Sequence, residues 1–315
     1  MKILGTGSAL PKRVVGNDQL AAFLDTSDEW ISVRTGIRER RLLSDETLQS
    51  LAEQAAKNAL ENAGIAPTDI DLVLGCTVQA ESASPAFACD IQPAVGLKCM
   101  GFDINGGCTG FICALSVADA LIATGKARNI LIVCAEALSR FTDWTDRSTC
   151  VLFGDAAGAA VVGAGDGLQS IHLYGEPRHD VLYANTPAGN SPFAVHPVEE
   201  KALTMNGQEV YRFAVSHSLR DIRQMLAENG LSAEDVDFYL LHQANMRILE
   251  GVRTRLKVSE ERFPHNIERT GNTSSATIPV LLDELNRAGK LKPGCRMILS
   301  AFGAGLCTGT ALLNW

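Results

Sequence analysis

Several short runs of this sequence are mainly apolar, without a polar residue at every second position: residues 71–77, 102–104, 129–135, 237–241 and 295–301. A strand with one wet face alternates apolar and polar side chains. A run that is apolar throughout is covered on both faces. Between these runs lie segments with apolar residues at three- and four-residue spacing. Residues 47–63 are closed by Gly64, and a helix through Phe111, Leu115, Ala118 and Ile122 is stopped by Gly125. Residues 208–228 and 274–288 complete the pattern. Such strand–helix alternation specifies an α/β architecture, and the all-apolar strands predict a parallel sheet between helices. Pro85 is expected to open a helix, and Pro93 to kink or end it.

At 315 residues the chain has room for one large or two ordinary domains. Residues 163–203 are rich in Gly, Pro and Asn, and the strand–helix order restarts at Asn206. The expected division is an N-terminal half, 1–165, and a C-terminal half, 166–315. A 46% hydrophobic and 20% charged composition supports a sizeable core and argues against disorder. The net charge of −8 argues against a general nucleic-acid binder. The nine cysteines (Cys76, Cys89, Cys99, Cys108, Cys113, Cys134, Cys150, Cys295 and Cys307) are odd in number, and no CxxC pair occurs. They read as reduced residues, with neither a disulfide framework nor a metal centre. Met1 to Gly5 holds no signal-peptide core, and no apolar run is long enough to span a bilayer. The expected location is the cytoplasm.

The chemistry-bearing stretch is Phe102-Asp103-Ile104-Asn105-Gly106-Gly107-Cys108-Thr109-Gly110-Phe111. It reads as strand, glycine turn, cysteine, helix. A thiol at the first turn of a helix faces unpaired N–H groups and the positive dipole end, which lower its pKa. Alone, this is equally a buried structural cysteine. His242 leaves the run 237–241, where a lone histidine is usually a satisfied core residue. Asn272, in Gly271-Asn272-Thr273-Ser274-Ser275, is by default a turn or cap residue. Together, each at a strand end or helix start, the three compose a candidate site at one sheet edge. The turn Gly303-Ala304-Gly305 offers a backbone N–H to an oxyanion. Upstream, Arg34, Arg38, Arg40 and Arg41 read as a solvated basic turn or a phosphate clamp, with Trp30 one helical turn from Arg34. The small-residue run 153–162 marks close backbone packing better than phosphate binding.

Ordered along the chain, these motifs resemble β-ketoacyl-[acyl-carrier-protein] synthase III, of the thiolase-like superfamily. The resemblance runs from Met1 to Trp315. It is carried by Asp25-Thr26-Ser27-Asp28-Glu29-Trp30-Ile31 with Arg34-Thr35-Gly36-Ile37-Arg38-Glu39-Arg40, and by Cys108-Thr109-Gly110-Phe111. Asp146-Arg147-Ser148-Thr149, Phe153-Gly154-Asp155-Ala156-Ala157-Gly158-Ala159 and Met205-Asn206-Gly207-Gln208-Glu209-Val210 continue it. His242-Gln243-Ala244-Asn245-Met246-Arg247-Ile248 and Gly271-Asn272-Thr273-Ser274-Ser275 complete it.

The resemblance implies a layered αβαβα fold of two duplicated halves, usually a homodimer. It implies that Cys108 takes an acyl group from acyl-CoA as a thioester. His242 and Asn272 then assist decarboxylation of malonyl-acyl carrier protein, and the backbone N–H groups of Cys108 and Ala304 hold the oxyanion. No metal or redox cofactor is required, since CO₂ loss supplies the carbanion. CoA contacts carry over to Trp30 and Arg147 at the adenine, Arg34 at phosphate, and Thr26, Gly207 and Asn245 near the pantetheine arm. Arg212, Arg247, Arg253, Arg255 and Lys257 correspond to the carrier-protein docking patch, and Ser84 to the acyl pocket. The chain departs from the family at three points. Asn105-Gly106-Gly107 stand where alanines are common, and Ser84 where some members carry phenylalanine. Leu306-Cys307-Thr308 lacks a frequent tryptophan. These leave acyl-chain selectivity open.

Three rival readings have distinct signatures. A papain-like peptidase has Cys, His and Asn in this chain order, but its nucleophile does not follow a strand of an α/β pattern. Another thiolase-like enzyme of specialised metabolism differs only in its acceptor. A non-catalytic acyl-binding scaffold predicts loss of Cys108, His242 or Asn272, and all are present.

Overall fold

In the computed structural model, which describes residues 1–184 and 202–315, the apolar runs become strands of two sheets. The N-terminal half begins with β1 (Lys2–Ala9). A hairpin of β2 (Arg13–Gly16) and β3 (Glu39–Leu42) encloses α1 (Asn17–Ala21) and α2 (Asp28–Thr35). Then come α3 (Leu48–Ala63), β4 (Leu72–Cys76), the short α4 (Phe87–Asp90) and α5 (Gln92–Val95), and β5 (Met100–Ile104). This half closes with α6 (Gly110–Ala123), β6 (Asn129–Ala137) and β7 (Asp155–Gly163). The C-terminal half runs through β8 (Leu168–Gly175), β9 (Leu182–Tyr183), β10 (Thr204–Met205), α7 (Gly207–Glu228) and β11 (Phe238–Leu241). It ends with α8 (Met246–Leu256), α9 (Ile267–Thr270), α10 (Thr277–Arg287), β12 (Arg296–Gly303) and β13 (Cys307–Asn314).

The first sheet has the order β1-β7-β6-β4-β5 and the second β8-β13-β12-β11. Their directions correspond strand by strand. β1–β7 and β8–β13 are antiparallel, as are β7–β6 and β13–β12, while β6–β4 and β12–β11 are parallel. The same unit therefore occurs twice, with β5 as an extra edge strand in the first copy. The side chains of the two copies have diverged so far that topology shows this duplication where sequence comparison does not.

Five layers follow from the packing. α3 covers the outer face of β1, β6 and β7; its Thr47 N-cap and left-handed Gly64 are the ends that the sequence predicts. α6 and α10 fill the space between the sheets, α6 touching β4, β6, β12 and β13, and α10 touching β1, β7 and β11. α7, with α8 packed on it, covers the outside of β12 and β13. The arrangement is αβαβα. α6 is apolar on more than one face because both faces meet a sheet.

The sheets are mixed, not parallel as expected. Helices cover both faces whatever the strand direction, so an all-apolar strand reports layering and not polarity. Two proline readings also change. Pro85 precedes α4 instead of opening it, and Pro93 lies in the first turn of α5, after a break at Ile91. Strands β2, β3 and β13 and helix α1 have no counterpart in the sequence reading. The pattern of β13 is broken by Thr308, Gly309 and Thr310, which are all buried.

Candidate active site

Both central helices are entered through short 3₁₀ turns, Gly107–Thr109 before α6 and Ser274–Ala276 before α10, and these turns pack against each other. Cys108 is in the first turn. Asn272 lies just before the second, where its N–H donates to Leu152 O (2.8 Å) and its C=O accepts from Gly154 N (3.0 Å). A Cβ at Gly154 would fall 2.0 Å from Thr270 O, so only glycine lets these segments meet. The small-residue run is thus a packing device, as expected. His242 follows β11 directly, its N–H donating to Ser300 O at 2.8 Å. Cys108, His242 and Asn272 line one cavity of about 680 Å³, together with Phe302, Gly303, Ala304 and Leu306.

Burial sets the resting charges. It pushes the Cys108 thiol up to about 12, which the nearby Ser274 side chain only partly offsets. The cysteine precedes α6 in a desolvated turn, so burial opposes the activation expected from a helix N-terminus. Burial lowers His242 to about 3. Its ring meets the edge of Phe302 (centroids 5.1 Å apart), and its Nδ1 is buried with no partner among the described residues. A neutral imidazole with Nε2 toward the cavity serves as a hydrogen-bond donor.

Asn272 Oδ1 accepts the N–H of Ser274 at 2.9 Å. The amide nitrogen is left to face the cavity as a donor. Ser274 is buried and holds a left-handed backbone (φ 50°), a conformation that a non-glycine residue adopts under constraint. Its Oγ donates to Glu136 Oε1 at 3.1 Å. Glu136, fully buried near the end of β6, also accepts from Ser275 Oγ (2.6 Å) and Val78 N (3.0 Å). Burial pushes its carboxyl up to about 7, despite the lowering by these bonds. The sequence reading assigned no role to Ser274 and stopped the apolar run one residue before Glu136. A lone carboxylate ending an otherwise apolar strand was the available signal.

The turn after β12 closes the cavity over Cys108. A Cβ at Gly303 would lie 3.0 Å from Cys108 N, and one at Gly107 would lie 3.8 Å from Ala304 N. The two backbone N–H groups named for the oxyanion thus border the same space.

At the mouth, Trp30 lies under two guanidinium groups, Arg34 at 4.5 Å and Arg147 at 5.1 Å from the ring centroid. Arg147 is also paired with Asp25 (3.0 Å). Trp30, Arg34, Gly207, Arg212, Asn245 and Arg247 border the cavity, whereas Thr26 and Arg147 lie outside its wall. Of the basic cluster only Arg34 reaches it. Arg40 is fully buried and donates to Val15 O, Asn17 Oδ1 and Val151 O, so it ties the hairpin to the core and cannot clamp a phosphate. Arg41 turns toward Pro11 O, away from the mouth.

Arg253, Arg255 and Lys257 stand at the far end of α8, on the order of 9–15 Å along the helix from Arg247. Arg253 is paired with Glu250 (2.6 Å), while Arg255 and Lys257 are exposed. Ser84 is exposed and outside the cavity of its own chain.

Among the described residues no cluster of three or more His, Cys, Asp or Glu side chains suits a metal ion, and no helix is long and apolar enough to cross a membrane.

Residues 102–176 match the 3-Oxoacyl-[acyl-carrier-protein (ACP)] synthase III family, and residues 226–315 match its C-terminal counterpart. The chain is 41% identical to the β-ketoacyl-[acyl-carrier-protein] synthase III of Clostridium acetobutylicum, covering 100% of this chain and 98% of that one. Its fold superimposes on the 3-oxoacyl-[acyl-carrier-protein] synthase III of Aquifex aeolicus with a TM-score of 0.93 at 39% identity, covering 100% and 99% of the two chains. A priming β-ketosynthase of a polyketide biosynthetic pathway gives 0.92 at 36% identity, covering 99% and 95%.

Proposed function

Since this chain belongs to the β-ketoacyl-[acyl-carrier-protein] synthase III family, we propose that Cys108, His242 and Asn272 carry the two half-reactions of that activity. The protein is an acyltransferase. It condenses an acyl-CoA with malonyl-acyl carrier protein, the step that initiates fatty acid synthesis. The observation that carries the residue assignment is the convergence of one thiol, one neutral imidazole and one oriented amide on a single cavity.

In the first half-reaction the Cys108 sulfur attacks the acyl-CoA carbonyl, and CoA leaves as its thiol. In the second, His242 Nε2 and Asn272 Nδ2 donate to the thioester oxygen of malonyl-carrier protein while CO₂ departs, so that negative charge collects on a held oxygen. The resulting carbon nucleophile attacks the acyl-Cys108 carbonyl. The second oxyanion lies against the N–H groups of Cys108 and Ala304, and collapse returns the thiol. Trp30 and Arg147 flank the adenine, Arg34 faces phosphate, and Thr26, Gly207 and Asn245 follow the pantetheine arm. Arg212 and Arg247 receive the carrier protein at the mouth, with Arg253, Arg255 and Lys257 extending the patch.

The working species is a homodimer in the cytoplasm, built from halves 1–165 and 166–315. β5 is the edge of its sheet, and Met100 on it is 68% exposed. A bare edge with an apolar side chain is a pairing site. The Ser84 loop leads into α4, which is fastened to β5 by Phe87 N–H donating to Asp103 (2.7 Å). On this reading Ser84, in the loop before α4, reaches the acyl pocket of a second copy across that edge. The likeness to a polyketide priming enzyme supports a second reading, in which the product enters specialised metabolism. Intact-protein mass spectrometry with a panel of acyl-CoAs, followed by turnover with malonyl-carrier protein, tests the scheme. Failure of Cys108 to gain an acyl mass would refute it.

A further inference from the structure

The second half-reaction asks Asn272 Nδ2 to meet an enolate oxygen, yet nothing covalent stops that amide from turning over. Its orientation rests on one bond, from Ser274 N–H to Asn272 Oδ1 at 2.9 Å. Ser274 makes this bond from a left-handed backbone (φ 50°), which a residue with a side chain keeps only where its surroundings fix it. The turn is tied down by Glu136. Its Oε1 accepts from Ser274 Oγ (3.1 Å), Ser275 Oγ (2.6 Å) and Ser275 N–H (3.4 Å).

We propose that Glu136 is a positioning residue for decarboxylation: it holds the 274–275 turn, the turn holds the Asn272 oxygen, and Nδ2 is left aimed into the cavity. The carboxylate is anchored from the N-terminal half. It lies near the end of β6, which runs between β4 and β7, and its Oε2 accepts from Val78 N at 3.0 Å. Ser274 and Asn272 come from the C-terminal half, so one side chain joins the two halves at the cavity wall, which Val78, Asn272 and Ser274 all line. Glu136 is fully buried and has no salt-bridge partner among the described residues. A charge buried without a cation costs folding free energy, which hydrogen bonds only partly offset. Among the described residues its donors are Val78 and the 274–275 turn alone, so what the carboxylate secures is the wall of the site.

The effect is confined to the amide. The backbone of Asn272 is tied separately, its N–H donating to Leu152 O (2.8 Å) and its C=O accepting from Gly154 N (3.0 Å). Loss of Glu136 therefore leaves the residue in place and frees its side chain to turn. A turned amide presents Oδ1 to the enolate, one acceptor facing another. Acylation of Cys108 does not use that amide. The inference rests on Asn272 being an enolate donor and names what aims it.

Two rates on the full chain test it: acylation of Cys108 by acetyl-CoA, read by intact-protein mass spectrometry, and release of labelled CO₂ from malonyl-carrier protein by protein acylated beforehand. Glu136→Gln keeps one accepting oxygen for two groups of donors, so one anchor is lost. CO₂ release should fall about tenfold in kcat with KM little changed, while acylation stays within about twofold of the unaltered protein. On an Asn272→Ala background the same change should cost less than about twofold in CO₂ release, because the carboxylate then has no amide to aim. Ser275→Ala, which removes the 2.6 Å bond and keeps the carboxylate, should give a smaller loss of the same kind and decides the matter if Glu136→Gln fails to fold. A loss of equal size on both backgrounds, acylation falling as far as CO₂ release, or CO₂ release untouched in Glu136→Gln would overturn the assignment. If Asn272→Ala alone leaves CO₂ release unchanged, the role of Asn272 itself fails, and that result appears with Glu136 unaltered.

Discussion

The side-chain oxygen of Asn272 accepts the N–H of Ser274 at 2.9 Å, and this single bond decides which end of the amide a substrate can meet. With Oδ1 engaged, Nδ2 is the cavity-facing donor. An enolate oxygen needs a donor, so Asn272→Asp, which keeps an acceptor for Ser274 but presents a second oxygen to the cavity, should be no better than Asn272→Ala. Both should lose malonyl decarboxylation by about two to three orders of magnitude, the usual effect of removing one oxyanion donor. Release of labelled CO₂ measures it. Near-normal decarboxylation in Asn272→Asp would mean that the amide does not face the enolate.

His242 should separate the half-reactions. His242→Ala is expected to form acyl-Cys108 at a measurable rate while decarboxylation falls by about two to three orders. Acylation lost as completely as in Cys108→Ala would make the imidazole the thiol's base. Because burial holds His242 at about 3, decarboxylation should show no limb near the ordinary imidazole value. Stability follows the same shift. Between about pH 6.5 and 3 the unfolded chain binds a proton at this residue that the folded chain does not, so this contribution is whole above 6.5 and falls with acidification. The difference in melting temperature between the unaltered protein and His242→Ala should therefore narrow from about pH 7.5 to 5.

What could be read from the sequence was whatever depends on local pattern. The capped helix α3 and the covered strands β4 and β6 are legible because caps and apolar runs are written in neighbouring residues. Strand direction is not, since a strand between two helix layers has the same composition either way. The meeting of Cys108 with Asn272 depends on two turns more than 150 residues apart packing together; their places at a strand end and a helix start suggested it, and the family resemblance made it specific. Arg40 misled because a buried arginine and a phosphate clamp look alike in sequence; what separates them is three long-range bonds, to Val15, Asn17 and Val151. Glu136 was passed over because its meaning lies in Ser274, which reaches it from the other half.

At the mouth, Trp30 presents its ring to two guanidinium groups, and a flat base can take the place of one of them. Trp30→Ala should raise the KM for acyl-CoA by the equivalent of about 1–3 kcal/mol, taking base–aromatic stacking as the guide. Acylation by a short pantetheine thioester without adenine should barely change. Equal losses with both donors would make Trp30 a structural residue of α2.

The basic residues of α7 and α8 divide by what already holds them. Arg253 is committed to Glu250, whereas Arg255 and Lys257 are exposed at the end of α8. In a protein of net charge −8, local cations of this kind steer an acidic partner, and salt screens them. Arg255→Glu with Lys257→Glu should raise the KM for malonyl-carrier protein severalfold, more at low salt, and leave a malonyl-pantetheine thioester unaffected. Arg253→Ala should do less. An effect of equal size on the free thioester would place these residues outside the docking surface.

Ser84 gives the sharpest test of the assembly, because within one chain it is exposed and does not border the cavity. On the dimer proposed above, a bulky residue there would alter acyl-chain preference by entering the pocket of a second copy across the β5 edge. Ser84→Phe should shift acylation of Cys108 from longer chains toward acetyl, and the shift should vanish when the dimer is split. Met100→Glu, which puts a charge on that edge, is expected to produce the monomer. Light scattering reads the assembly and mass spectrometry the acyl profile. If Ser84→Phe leaves the profile of an intact dimer unchanged, Ser84 is not part of the pocket. If the shift persists in the Met100→Glu monomer, the residue acts within its own chain, and the route across β5 is wrong.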